Sequence, residues 1–385
     1  MAITIVATPN TPNVTETKLV YSVSSSNSLS PQFQYVTDIY EAGGSTLLTR
    51  LYSYPNPYGT GVVEISQVLS DNLEYDDDWK ATGATAADSS FKGFDIKFGE
   101  AYGTSLSSSV TVYPNLATNT LEVFPGTVDP NGGSFDFPSS TSYQLLTNQT
   151  QGYISKDNYV TIPVYAPPFS TVGNKDIQVD FIASNGSVIF SDNCNIIPAS
   201  SYEIYQQAIG YNSTLFGNVF QLSDWEYIKV YELPTLNLLT TFNRVRPCNG
   251  DGVTFAFINS LGYYDYYSTP NPVRKNTDVE RDIFKQTQVN YSAIVPSYNV
   301  TRRGETQYNT RYSDNFEVTT DYHDKATADW LTELFDSPNA FIQVDQEFIP
   351  IIITNTNYEW NMNENRQKLF QYTIQYKYAN NRFDR

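Results

Sequence analysis

One histidine, two cysteines, two methionines and no long apolar run: each shortage removes a class of function from this chain. With a lone His323 and with Cys194 and Cys248 far apart, the four soft ligands of a structural zinc site are not available. No Gly-x-Ser-x-Gly elbow supplies a nucleophile that His323 could serve, so a hydrolytic triad is not encoded. His323, between Tyr322 and Asp324, is expected to face solvent or to cap a helix. Two cysteines are too few for a disulfide framework, and reduced, buried thiols are expected. No apolar stretch approaches the roughly 20 residues that span a bilayer. The start, Met1 to Val6, lacks a basic n-region and a long h-region, so it is expected to be a strand and not a signal peptide. Basic residues are scarce as well: 23 against 41 acidic, a net charge of −18. Such a balance repels phosphate backbones and anionic lipid, which argues against sequence-specific nucleic-acid binding and against membrane insertion.

What is abundant is aromatic. The chain carries 31 Tyr and 22 Phe, while charged residues make up only 17%. That mixture favours sheets with broad faces over helices. A length of 385 residues allows two or three domains, each able to bury a core. The expected fold is mainly β and multidomain, with a β-sandwich-like N-terminal domain over residues 1–140 and a middle β domain over 153–270. A C-terminal β-rich α+β domain over 285–385 would carry one amphipathic helix. Short β-rich runs at regular spacing support the first of these: Thr17 to Val23, Phe33 to Tyr40, Thr46 to Tyr54, Val62 to Ile65, Phe94 to Phe98 and Thr120 to Phe124. Lys80 to Ser90, small and polar, reads as a surface loop, Asp129 to Gly133 as a strong turn, and Ser139 to Gly152 as a linker. In the middle region, Ile177 to Ile182 and Val188 to Phe190 flank an Asn185-Gly186 pair, which is a hairpin signal.

The C-terminal stretch is the most legible. Ala328, Leu331, Leu334 and Phe335, with Trp330 at the edge, share one side of a 3.6-residue period, and Asp324 or Thr327 can cap the start of that helix. Pro338 stops it. Phe341 to Val344 and Phe348 to Thr354 read as a hairpin whose second strand is largely buried, with Pro350 arguing for an edge or a bulge. Phe370, Tyr372, Ile374, Tyr376 and Tyr378 alternate with Gln371, Thr373, Gln375 and Lys377, a strand with one dry and one wet face.

Few residues point to chemistry. Glu74-Tyr75-Asp76-Asp77-Asp78-Trp79 is the densest acidic run, but it has neither the length nor the glycine of a calcium loop and reads as a solvated loop. Paired carboxylates of a glycan hydrolase are compatible with so many acids, though nothing singles out a pair. No metal site, cofactor or catalytic residue is expected. The run Phe255 to Tyr267 is the most distinctive local feature. Its alternation and the Gly262 kink suggest strand, tight turn and strand, packed in a core or an interface; on a lectin, the same rings would stack on sugars.

Three patches of sequence resemble virion structural proteins of tailed bacteriophages, particularly crAss-like and related phages of Bacteroidota. They are Val20-Tyr21-Ser22-Val23-Ser24-Ser25 with Phe33 to Ile39 and Pro55-Asn56-Pro57; Phe257 to Tyr266; and the C-terminal set Trp330 to Leu334, Phe348-Ile349-Pro350 and Phe370 to Tyr376. The resemblance implies a non-enzymatic tail, baseplate or neck-ring subunit, made in the host cytoplasm and located in the virion. It would assemble as a homo-oligomeric ring and with other virion proteins. A receptor- or glycan-binding tail adhesin is the alternative. A ring needs two different patches that meet. The candidates are Tyr263, Tyr264, Tyr266 and Tyr267 on one hand, and the acidic residues Glu74, Asp76, Asp77 and Asp78, with Arg302, Arg303 or Arg311 as partners, on the other.

Overall fold

A computed structural model describes residues 3–75, 82–87, 89–126, 144–149, 151–166, 175–196, 203–233, 235–246, 252–286, 288–290, 294–295, 297–298, 301, 304–344, 347–355 and 369–380. The protein is mainly β, with three helices of at most 12 residues among the described residues. It divides into two compact units: Met1–Arg244 with Phe257–Tyr267, and Val245–Ala256 with Ser268–Arg385. The regions expected as separate N-terminal and middle domains therefore lie in one unit as far as Arg244.

In the first unit, alternating side chains build a sandwich. A sheet ordered Asn13–Val14, Thr111–Phe124, Lys92–Tyr102, Gln34–Glu41, Leu47–Ser53 packs on a second ordered Ile3–Ala7, Val20–Ser25, Thr60–Glu64. Tyr21, Val23, Tyr35, Ile39, Phe94, Ile96, Phe98 and Leu121 are buried in their common core. Burying such side chains contributes about 1.5 to 3 kcal/mol each. A third sheet orders Gln144–Leu145, Thr161–Ala166, Glu203–Ala208 and Ala84–Ala86.

That third sheet overturns two expectations. Ala84–Ala86 is a strand paired with Tyr205 to Gln207, and Ala87 and Ser90 beside it are buried, so the segment expected as a surface loop supplies a sheet edge and core. Small residues read as loop, but they are also what fits close under a neighbouring layer. Nor is the segment expected as a linker one: Gln144–Leu145 and Gln151–Ile154 are strands, and Leu146 is buried beside Tyr165 and Tyr263. Gly152 allows this, because a Cβ there would lie 2.2 Å from the Phe242 ring. The expected hairpin at Asn185-Gly186 is present, with Gly186 at φ 83° and Asn185 Oδ1 accepting from the Ser187 N–H at 2.9 Å. Asp129 to Gly133 lies outside the described residues.

The second unit carries a sheet ordered Ala340–Val344, Glu347–Ile353, Thr373–Tyr378, Glu305–Thr319, Arg274–Lys285. Its helix, Lys325–Asp336, starts where Asp324 accepts from the Thr327 N–H at 2.9 Å, ends at Ser337 before Pro338, and buries Ala328, Trp330, Leu331 and Leu334. The terminal strand buries Tyr372, Ile374 and Tyr376 and exposes Gln371, Thr373 and Gln375, the alternation read from sequence. Glu347–Ile353, in contrast, is not largely buried: Ile351 is, while Ile352 is exposed. Its apolar run belongs to an interior strand with one half-wet face. Pro350 sits neither at an edge nor at a bulge. Its carbonyl accepts from the Ala379 N–H at 2.9 Å, so its missing N–H faces the same way, past the last paired residue Tyr378 where the ladder ends.

Candidate functional site

The residues expected to meet a neighbour come out in different places. Tyr263, Tyr264, Tyr266 and Tyr267 are buried by the chain itself. They belong to a hairpin, Val253–Ile258 with Tyr264–Thr269, in which every residue of both strands is buried. The Tyr263 hydroxyl lies 3.3 Å from Ser90 Oγ, and the Tyr266 hydroxyl 2.9 Å from Thr161 Oγ1. Burial raises the Tyr266 phenol well above its usual range, so it stays a neutral partner. The turn is built by Asn259, whose Oδ1 accepts from the N–H groups of Leu261 and Tyr263 at 2.9 and 3.1 Å. Gly262 completes it at φ 82°, where a Cβ would lie 2.2 Å from the Pro125 carbonyl oxygen. A run of tyrosines is thus a core element and not a displayed surface. Glu74 is exposed, while Asp76, Asp77, Asp78, Arg302 and Arg303 lie outside the described residues.

Arg311 leads to the feature that sequence reading did not find. Arg274–Lys285 and Glu305–Thr319 pair from Arg274↔Glu317 to Lys285↔Glu305. Only Phe316 to Thr319 also pair with the terminal strand, so the rest, Asn276 to Lys285 against Glu305 to Asn315, is a two-stranded arm of about 35 Å, at 3.4 Å per residue. Nearly every residue of Arg274–Lys285 is exposed. At its base Phe316 stacks on Tyr376 at 5.3 Å and meets Tyr378 edge-on at 4.9 Å. Along its length polar pairs hold the register. The Arg311 guanidinium lies 3.0 Å from Asp282 and 3.6 Å from Glu280, Lys275 lies 2.8 Å from Asp314, and Asn315 donates to Asp278 at 2.7 Å. Exposed apolar side chains stand between them: Val279 directly opposite Tyr312, and Phe284 beside Tyr308. Further out, Ile294 is fully exposed and Val295 largely so, between the paired Val289–Asn290 and Ser297–Tyr298. The signal in the sequence was opposite charges in both parities of a β-rich stretch, which marks a strand wet on both faces.

An open groove of about 510 Å³ at the arm's base is lined by Asp278, Asn315, Glu317 and Gln375 among others. Asp278 accepts from Asn315, and Glu317 from Gln375 at 3.2 Å, so the groove presents amides and engaged carboxylates. Among the described residues, no three His, Cys, Asp or Glu side chains gather as a metal site, and no helix is long and apolar enough to cross a membrane. His323 is buried, not solvent-facing, and the capping role falls to Asp324. His323 instead exchanges backbone hydrogen bonds of 2.8 Å with Phe370, pinning the helix start to the terminal strand. Burial holds its imidazole below the ordinary histidine pKa, with Asp321 and Asp324 opposing that shift. Cys194 is buried on the strand Val188–Ile196, and Cys248 lies outside the described residues. Compared with known proteins, the chain matches no family model and none of the curated proteins.

Proposed function

We propose that this chain is a non-enzymatic structural subunit of a tailed-phage virion, in the tail, baseplate or neck ring, which assembles with copies of itself and with other virion proteins. The observation that carries the assembly part is the arm. A two-stranded ribbon is marginally stable alone in water, yet this one extends about 35 Å with both faces wet and apolar side chains on show. Such a ribbon gains its order and covers Val279, Tyr312, Phe284 and Tyr308 when a neighbouring subunit lies against it. Its mixed charges restrict which neighbour fits, since like charges brought together oppose the contact. The virion part rests on the sequence resemblance.

The test is an arm deletion. Joining residue 276 to residue 315 through a short turn leaves Phe316 and the sheet beneath intact. The shortened chain is expected to melt as the full chain does and to sediment as a smaller species, and it should not enter particles when virions are assembled from their components. A shortened chain that assembles like the full one overturns the reading.

A further inference from the structure

The first unit has an unusual surface of its own, at the end of the sandwich where three connections meet. We infer that this loop end is a self-association face, which docks on the same face of a second copy of this chain; the inference stands apart from the virion reading. The three connections are Asn27 to Gln32, Asn56 to Thr60 and Gly103 to Ser108. The segments around them, residues 19–37, 51–63 and 101–121, contain no Asp, Glu, Lys or Arg in a chain of net charge −18. Their tips display Leu29 at 98%, Tyr58 at 92% and Leu106 at 83% exposure, with Tyr54 alongside.

The tips are held in place. Gln32, at φ 57°, donates through Nε2 to the carbonyls of Leu106 at 2.8 Å and Ser105 at 3.1 Å, tying the first connection to the third. Asn56 Oδ1 accepts from the N–H groups of Tyr58 and Thr60 at 2.9 and 3.1 Å, and the Tyr35 hydroxyl donates to the Gly59 carbonyl at 2.6 Å. The Gly59 backbone approaches Ser28, where a Cβ would lie 3.3 Å from the hydroxyl, which joins the second connection to the first. Beneath them, buried Glu100 accepts from Ser25 at 2.7 Å and Asn27 at 2.9 Å, so the nearby carboxylate is turned inward.

The occupant follows from charge. Two copies that each carry −18 repel wherever their acidic surfaces approach, and a surface without charge lets them meet free of that penalty. An uncharged apolar patch is complementary to itself, which is the condition for a two-fold contact. Depletion of charge with enrichment of aromatic residues is the composition of an interface centre. Fully exposed leucines favour a protein surface over a sugar, which would use the tyrosine rings but gain little from Leu29 and Leu106.

The experiment uses the full chain with Cys248→Ser. Leu29→Cys in that background is expected to form a covalent dimer under mild oxidation, while Leu222→Cys, at another strongly exposed leucine elsewhere in the unit, stays uncrosslinked. In the otherwise unmodified chain, Tyr58→Glu is expected to weaken dimerisation in sedimentation by about 30-fold or more at an unchanged melting temperature, the scale of a lost aromatic anchor. Added salt should leave the dimer intact or tighten it, since no ion pair is there to screen. Absence of the Leu29→Cys dimer, or dimerisation indifferent to Tyr58→Glu, overturns the proposal. So does a monomer that binds a neutral polysaccharide through Tyr58, which would make the same end a glycan site.

Discussion

Two consecutive hairpins, Val253–Thr269 and Arg274–Thr319, both carry aromatic residues, yet one has every strand residue buried and the other almost none on its first strand. The buried hairpin reads Val-Thr-Phe-Ala-Phe-Ile and Tyr-Asp-Tyr-Tyr-Ser-Thr, with apolar or aromatic residues in both parities. The polar groups among them are satisfied inside: Thr147 donates to Asp265 at 2.7 Å, and the Thr254 and Ser268 hydroxyls meet at 2.9 Å. The arm reads Arg-Lys-Asn-Thr-Asp-Val-Glu-Arg-Asp-Ile-Phe-Lys on its first strand, charged in both parities. The alternation read in the run Phe255 to Tyr267 does not distinguish them, since burial alternates in neither: the first hairpin is dry on both faces and the first strand of the arm is wet on both. Occupancy of both parities does, because a strand apolar on both sides is covered twice and a strand charged on both sides is covered by nothing in its own chain. The first hairpin is held by burial and the second by its base and by pairs that contribute little.

The largest loss of stability is expected in the buried hairpin. Tyr266→Ala removes a fully buried ring and its bond to Thr161, and is expected to cost about 3 to 5 kcal/mol, lowering the melting temperature by roughly 10 °C. Gly262→Ala should cost a comparable share of stability, since φ 82° disfavours a side chain and the Pro125 oxygen occupies its place. A calorimetric melt unchanged by either would mean that the hairpin is not core.

At the base of the arm the expected loss is smaller. Phe316→Ala gives up stacking on Tyr376 and the edge contact with Tyr378 from a half-buried site, about 1 to 3 kcal/mol. Hydrogen exchange should then speed up along Glu305–Thr319 before anywhere else in the unit. Uniform acceleration would show that the arm and the sheet unfold together.

Much of this was legible and some was not, for physical reasons. The helix Lys325–Asp336 and the terminal strand were readable because one face of each meets the core and the other meets water, so the period appears in the residues. Ala84–Ala86 and Gln144–Leu145 were unreadable because three- and two-residue strands carry no period, and their place is set by partners outside the local stretch, Tyr205 to Gln207 for the first and Val164 and Tyr165 for the second. The arm was missed because a sheet element without an apolar face looks like a charged loop. The loop end was missed although its signal, the charge-free segments, is present in the composition; it emerges only when three separate stretches are seen to converge.

His323 gives a pH-dependent test of the sheet below the arm. Its folded pKa is lowered from 6.5 by burial, so the unfolded chain takes up a proton that the folded chain resists. Stability is therefore complete above about pH 6.5 and falls as pH drops below that value toward the lowered pKa. His323→Gln should flatten that slope in denaturant titrations between neutral and mildly acid pH. Because 41 carboxylates titrate further down, the diagnostic quantity is the difference between the two proteins near neutrality.

The smallest effect on stability is expected in the arm itself, and it is the most informative about what the arm is for. Arg311→Ala breaks the contacts to Asp282 and Glu280, both at a solvent-exposed guanidinium, where such pairs contribute about 0.2 to 1 kcal/mol. The melt should barely move, and Tyr312→Ala should behave alike. If the arm is held in register by its own pairs and covered by a neighbour, the same substitutions weaken assembly far more than folding, because the loosened ribbon must be re-ordered at each contact. Sedimentation and melting of the two variants, measured on the same samples, separate the possibilities: parallel small changes in both would make the arm a passive extension, whereas intact melting with lost assembly is the outcome expected for a docking element.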